Sequence, residues 1–289
     1  MTSDMDEPTR PHDAVRRGQV IALVSGKDGS GKSTVAANLA AHLARDFSRS
    51  VALLDLDLQT GDQALMFRLP TYPCIEDVLE GFDRLTPATL KESMHRAHAL
   101  SILTAPPTPE RADVFRSSHV RTIVRLLASA FDVVVIDMAS HLGDVTLEAI
   151  DSADRVILLT TARLPSLKDT KRLLRVLGDL GKDSTRILAV CNDTSRIRMS
   201  RDTVENSINF PVACVLPNAS DALLDAVIDA IPLVLSAPRC DFSRAIAQLA
   251  GLLTPVEATP SAGNGSRWKQ VLHLNSEPVL TSPSAFTPT

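Results

Sequence analysis

Ser25-Gly26-Lys27-Asp28-Gly29-Ser30-Gly31-Lys32-Ser33-Thr34 follows the apolar run Val20–Ser25 and opens a segment with a helical period. Strand, glycine-rich loop and helix in that order form the context that a phosphate-binding loop requires. Gly29 and Gly31 permit backbone conformations that turn successive N–H groups inward as an anion nest. The helix N-terminus adds a favourable dipole end for phosphate. Lys32 supplies a positive charge for the β- and γ-phosphates, and the Ser33 hydroxyl suits Mg²⁺. The spacing GxGK[ST] is shorter than GxxxxGK[ST], although Gly26 completes the longer pattern too. These residues predict a site for ATP and Mg²⁺ formed by Gly29, Ser30, Gly31, Lys32, Ser33 and Thr34.

Outward from this loop, short apolar runs alternate with longer amphipathic segments. The runs Val20–Ser25, Val51–Leu56, Leu100–Thr104, Val133–Ile136, Val156–Thr160 and Ile187–Val190 are near-continuous Val, Ile and Leu. That composition suits parallel strands covered on both faces. Helices are expected over Ser33–Arg45, Thr89–His98, Ser118–Ala130, Ser166–Leu180 and Phe242–Leu253. In the first, Val35, Leu39 and Leu43 recur every four residues, one stripe to pack on a sheet. The alternation predicts an α/β fold, a doubly wound and mostly parallel sheet flanked by helices. The ATPase domain is expected at residues 18–254. A polar, disordered leader (1–17) precedes it, and a flexible tail rich in Pro, Ser, Thr and Gly (255–289) follows it.

Composition narrows the setting. The chain has 289 residues, 44% of them apolar, enough for a large core. A formal net charge of -4 gives no general attraction to nucleic acid or anionic lipid, so polyanion binding would need a local patch. Cys74, Cys191, Cys214 and Cys240 are far apart and form no CxxC pair, which points to reduced, mostly buried thiols. The first residues lack an apolar signal core, and no run of about 18 apolar residues exists to span a membrane. A cytoplasmic protein is expected, with membrane contact peripheral at most.

Lys27, five residues before Lys32, resembles the signature lysine of the deviant Walker A motif in the ParA/MinD family. The resemblance runs from about Gly18 to Leu253 and implies an ATPase that forms an ATP-dependent sandwich homodimer, with Lys27 reaching the partner's phosphates. The strand Val51-Ala52-Leu53-Leu54-Asp55-Leu56-Asp57 is similar to the family's second motif. It implies that Asp57 orients the attacking water and that Asp55 supports the Mg²⁺ shell. Val133-Val134-Val135-Ile136-Asp137 ends in the single carboxylate of a Walker B position. Lys27, Lys32 and Asp57 are thus the expected catalytic residues, and Ser33, Asp55 and Asp137 the metal-handling ones. Asn192, after Ala189-Val190-Cys191, resembles the residue that contacts adenine. Pro217 and Asn218 resemble the loop closing over the base edge.

Within the family, Leu54–Asp62, Ala105–Glu110, and Leu216-Pro217-Asn218 followed by Ala230-Ile231-Pro232-Leu233, resemble the CpaE/TadZ branch, which serves tight-adherence (Flp) pilus assembly, and imply protein partners in such a machine. Recruitment to the inner membrane face or a cell pole would accompany that role. Two rivals differ in partner. A DNA-partition ATPase would need a basic patch, for which Arg196, Arg198 and Arg201 offer only a short loop. A MinD-type positioning ATPase would need a membrane-seeking segment, for which Arg267–Leu272 is the candidate. Asp28 departs from the family, which usually has Gly there. A carboxylate about 5 Å from a phosphate charge would cost roughly 3 kcal/mol at an effective dielectric of about 20. Asp28 is therefore expected to pair with Lys27 and weaken the sandwich.

Overall fold

The computed structural model describes residues 17–193 and 199–253. The central strand β1 (Gln19–Ser25) leads through the loop into α1 (Lys32–Asp46), and β2 (Val51–Leu56) returns beside it. After α2 (Gln63–Met66) and α3 (Pro87–Glu92), a short β3 (His95–Ala97) turns back into β4 (Leu100–Leu103). Helix α4 (Ser117–Ala130), β5 (Val133–Met138), α5 (Asp144–Ser152), β6 (Arg155–Thr161) and α6 (Leu164–Asp179) follow. The chain continues with β7 (Ile187–Asn192), α7 (Arg201–Ile208), β8 (Val212–Leu216), α8 (Ser220–Asp229), α9 (Leu233–Ser236) and α10 (Asp241–Leu253).

The eight strands form one sheet in the order β3-β4-β2-β5-β1-β6-β7-β8, parallel except for β3. Every residue of β2 and β5 is buried, as the unbroken apolar runs predict for strands covered on both faces. Val35, Leu39 and Leu43 of α1 join one core with Ile246 and Leu249 of α10. The opposite face is closed by Ile123 and Leu127 of α4 with Leu173 and Leu177 of α6. The connection from β1 runs through α1 to β2 on one side, whereas that from neighbouring β5 runs through α5 to β6 on the other. The loop after β1 therefore opens into the crevice at a topological switch point, where α/β sheets bind ligands.

The segment expected as one helix over Thr89–His98 is two elements. Thr86 caps α3 through the Thr89 N–H, and Pro87 stands in the first turn, where its missing N–H costs nothing. The helix ends at Glu92. The chain then reverses through His98 and Ala99, both at positive φ, so that Ala97 pairs with Leu100 in an antiparallel hairpin. Edge strand β8 and helices α2, α5, α7, α8 and α9 add to the expected elements. Three of the cysteines are buried and Cys240 is partly so, all as free thiols. Among the described residues no helix is long and apolar enough to cross a membrane. The expected leader to residue 16, the tail 255–289 with Arg267–Leu272, and Arg196 and Arg198 lie outside the described residues. Arg201 binds Glu205 at 3.0 Å and the carbonyl of Val212.

Candidate nucleotide site

The loop owes its path to two close approaches. Gly31 is the N-cap of α1 in the left-handed region (φ 90°), and a Cβ there would sit 2.4 Å from the Asn192 amide nitrogen. Only glycine meets both demands. Behind it, the first N–H groups of α1 have no partners within the helix and face the loop's mouth. Asn192, at the end of β7, donates to the Ser30 carbonyl at 2.9 Å and so braces the loop.

Lys32 is buried at 7% exposure. Its ammonium donates to Ser140 Oγ at 2.5 Å and to Ser25 Oγ at 3.2 Å. The Ser25 hydroxyl in turn donates to the Lys27 carbonyl. Asp28 Oδ1 lies 3.7 Å from the Lys32 nitrogen. The expected Asp28–Lys27 pair is thus replaced by Asp28–Lys32. Four residues separate them across the turn of the loop, which brings the carboxylate back over the ammonium, while Lys27 stands exposed.

Beside the loop, Asp55 and Asp137 are direct register partners on β2 and β5, both 0% exposed. Burial, with the charge of Asp137 second, pushes Asp55 well above the usual carboxylate range, against donation from the Gln63 and Asp57 N–H groups. Burial likewise raises Asp137 to about 6, opposed by the Gln63 amide, the Ser33 hydroxyl and Lys32. Gln63 is wholly buried; its amide bridges the Ser33 carbonyl at 3.1 Å and Asp137 Oδ2 at 2.9 Å. Gly61 allows this crowding, since a Cβ there would come within 2.6 Å of Asp55 Oδ2.

Asp137 Oδ1 has no aligned hydrogen bond although it is buried. A buried carboxylate oxygen without a donor, beside a hydroxyl and a second carboxylate, is a set of hard oxygen ligands that suits Mg²⁺. Ser33, Asp137 and Asp55 therefore fit the cation expected of them. Asp57, half-buried just past the end of β2, accepts from Thr60 N–H at 3.1 Å and Thr60 Oγ1 at 3.0 Å. Its carboxylate is held at the rim of the crevice.

Asn192 and the Pro217–Asn218 loop meet at adjacent strand ends, where Asn192 is register partner to Leu216. Asn218 Oδ1 accepts from the Ser220 N–H at 3.0 Å and its hydroxyl at 2.7 Å, which fixes the start of α8. In this structure both asparagine side chains thus have structural partners. Ser25, Ser140 and Gln63 also line this site. No spacing rule singles them out, because their parts depend on strand ends that meet only in the folded sheet.

Residues 16–212 match the ParA family, described as NUBPL iron-transfer P-loop NTPase. This chain belongs to the ParA/MinD-type P-loop NTPases. An uncharacterised ATP-binding protein of Methanocaldococcus jannaschii is 27% identical, over 81% of this chain and 86% of its own. The septum site-determining protein MinD of Thermotoga maritima is 26% identical, over 72% of this chain and 78% of that one. The crystal structure of the Pyrococcus furiosus cell-division ATPase MinD superposes with a TM-score of 0.70 at 26% identity, covering 81% of this chain and 97% of that one. Membership of this family implies binding of nucleotide and Mg²⁺. The relatives include MinD proteins and the antiactivator FleN of Pseudomonas aeruginosa, and they lend the expected CpaE/TadZ branch no support.

Proposed function

We propose that this protein is a MinD-like positioning ATPase that binds Mg·ATP in the crevice and changes its location or partner with the bound nucleotide. The observation that carries the chemistry is the convergence of Lys32, Asp55, Asp57 and Asp137 at the ends of three adjacent strands. The MinD relatives support the positioning role. The inward N–H groups and Lys32 hold the phosphates, and Asp57, set by Thr60, accepts a hydrogen bond from the attacking water. Ser33, with Asp137 and Asp55 near it, would hold Mg²⁺, which would supply positive charge to the phosphates. Lys27, which is exposed, reaches a second copy of the chain in an ATP-dependent homodimer on this reading.

Ser140 gives the site a way to report its state. Its hydroxyl contacts Lys32 and lies on the segment that runs from Asp137 into α5. A lysine drawn onto phosphate releases that hydroxyl, and the segment moves with it. Pilus assembly stays a finer reading, resting on three sequence stretches alone. The test follows a fluorescent fusion in cells for the wild type, Lys32→Ala and Asp57→Ala. Wild type and Asp57→Ala are expected to concentrate at a cellular target, and Lys32→Ala to spread evenly. Identical distributions in all three would end the positioning reading.

A further inference from the structure

We propose that Asp28 is a built-in competitor for phosphate: its carboxylate holds Lys32 at rest and is displaced when nucleotide binds. This rests on the phosphate-binding reading of Gly26–Thr34. A buried ammonium needs a counter-charge, and the two hydroxyls that hold Lys32 are neutral. Among the described residues, Asp28 is the acid paired with it within 4 Å. The two side chains differ sharply in exposure, 7% for Lys32 and 86% for Asp28. The carboxylate therefore meets the ammonium from the solvent side, the side from which a polyphosphate arrives. Asp137 acts on Lys32 from within the protein and stays in place when the ligand enters. Above the loop there is room for Asp28 to leave, since a Cβ built on neighbouring Gly29 meets nothing within 4 Å.

A phosphate entering the site must take over the charge that Asp28 now satisfies, and the displaced carboxylate remains nearby to repel it. The penalty is electrostatic, so it is larger for a triphosphate than for a diphosphate and shrinks with salt. Asp28 thereby sets the nucleotide concentration at which the switch is loaded.

Calorimetry of Mg·ATP and Mg·ADP against wild type, Asp28→Asn, Asp28→Ser, Asp28→Gly and Lys32→Ala tests this. Asp28→Asn and Asp28→Ser are expected to bind Mg·ATP roughly three- to tenfold more tightly at low salt. The gain should be smaller for Mg·ADP and should fade at high salt, and Lys32→Ala should lose binding. Asn and Ser variants within about twofold of wild type, or a gain confined to Asp28→Gly, would overturn the proposal while leaving the site intact. If neither wild type nor any Asp28 variant binds Mg·ATP, the phosphate-binding reading itself fails, and the competitor role with it.

Discussion

Asp55 and Asp137 stand side by side on β2 and β5, two wholly buried carboxyls facing one crevice with a single side-chain amide, Gln63, bonded to Asp137. Two carboxylates this close and this dry cannot both ionise cheaply without a cation. The pair therefore makes the nucleotide-free protein sensitive to pH, and a bound cation relieves that sensitivity.

Both carboxyls are raised in the folded state. A raised acid binds its proton more tightly when folded, so its contribution is whole below about pH 4 and is lost as pH climbs through the folded value. For Asp137, held at about 6 instead of 3.8, that loss is largely complete by neutral pH. Asp137→Asn should therefore raise the melting temperature of the nucleotide-free protein by roughly 5 °C at pH 8 and by little at pH 4. Scanning calorimetry of both chains across that range measures it. A gain that is equal at both ends would show that the carboxyl is not strained by burial.

Gln63 should prove to be a positioning residue. Gln63→Leu keeps the volume but leaves Asp137 Oδ2 and the Ser33 carbonyl without a donor, a cost of about 1–3 kcal/mol. The variant should melt lower, and its ATP affinity should need several times more Mg²⁺ for half-saturation. Titrating Mg²⁺ at fixed ATP separates the two effects. An unchanged Mg²⁺ requirement would reduce Gln63 to a packing residue.

The doubly wound sheet was legible because strands buried on both faces must be continuously apolar, as Val51–Leu56 and Val133–Ile136 are. The loop was legible because phosphate binding constrains Gly31, Lys32 and Ser33 through the backbone itself. Edge elements were not. Strand β8 exposes Val215 and has one neighbour, so its pattern is short and mixed. Strand β3 depends on a turn through His98 and Ala99, and positive φ is uncommon for an alanine. Gln63 and Ser140 reach the site from segments far apart in sequence, and nothing local marks a glutamine that bridges two strand ends. Asp28 was legible as an oddity, but its partner was not, because Lys27 and Lys32 are both within reach of one short loop.

Asp57 should separate binding from turnover. Its carboxylate is preset by Thr60, so Asp57→Ala removes the group proposed to orient the water without disturbing the loop proposed to hold phosphate. Hydrolysis should fall by about a hundredfold or more, with Mg·ATP affinity within a few-fold of wild type. Thr60→Val should give a milder loss, since it frees the carboxylate to swing. Single-turnover assays with labelled ATP, alongside binding isotherms, provide both numbers. Full turnover in Asp57→Ala would assign the water to another group.

The closest contact in the loop supplies a sharper test, because it sets two costs of glycine replacement against each other. Gly31→Ala would thrust a methyl group to within 2.4 Å of Asn192 Nδ2 at a residue whose φ is 90°. Removing the asparagine amide relieves the clash but not the backbone strain, which is about 1–2 kcal/mol for an L-residue in the left-handed region. Asn192→Ala alone removes the brace on Ser30 and should weaken Mg·ATP binding modestly. The double variant Gly31→Ala/Asn192→Ala should then bind Mg·ATP better than Gly31→Ala alone and worse than Asn192→Ala alone. Melting temperatures measured on all four chains report the same coupling in the absence of nucleotide. If the two substitutions add independently in both measurements, Asn192 does not press on the loop, and the path of the loop must be set by the strain at Gly31 alone.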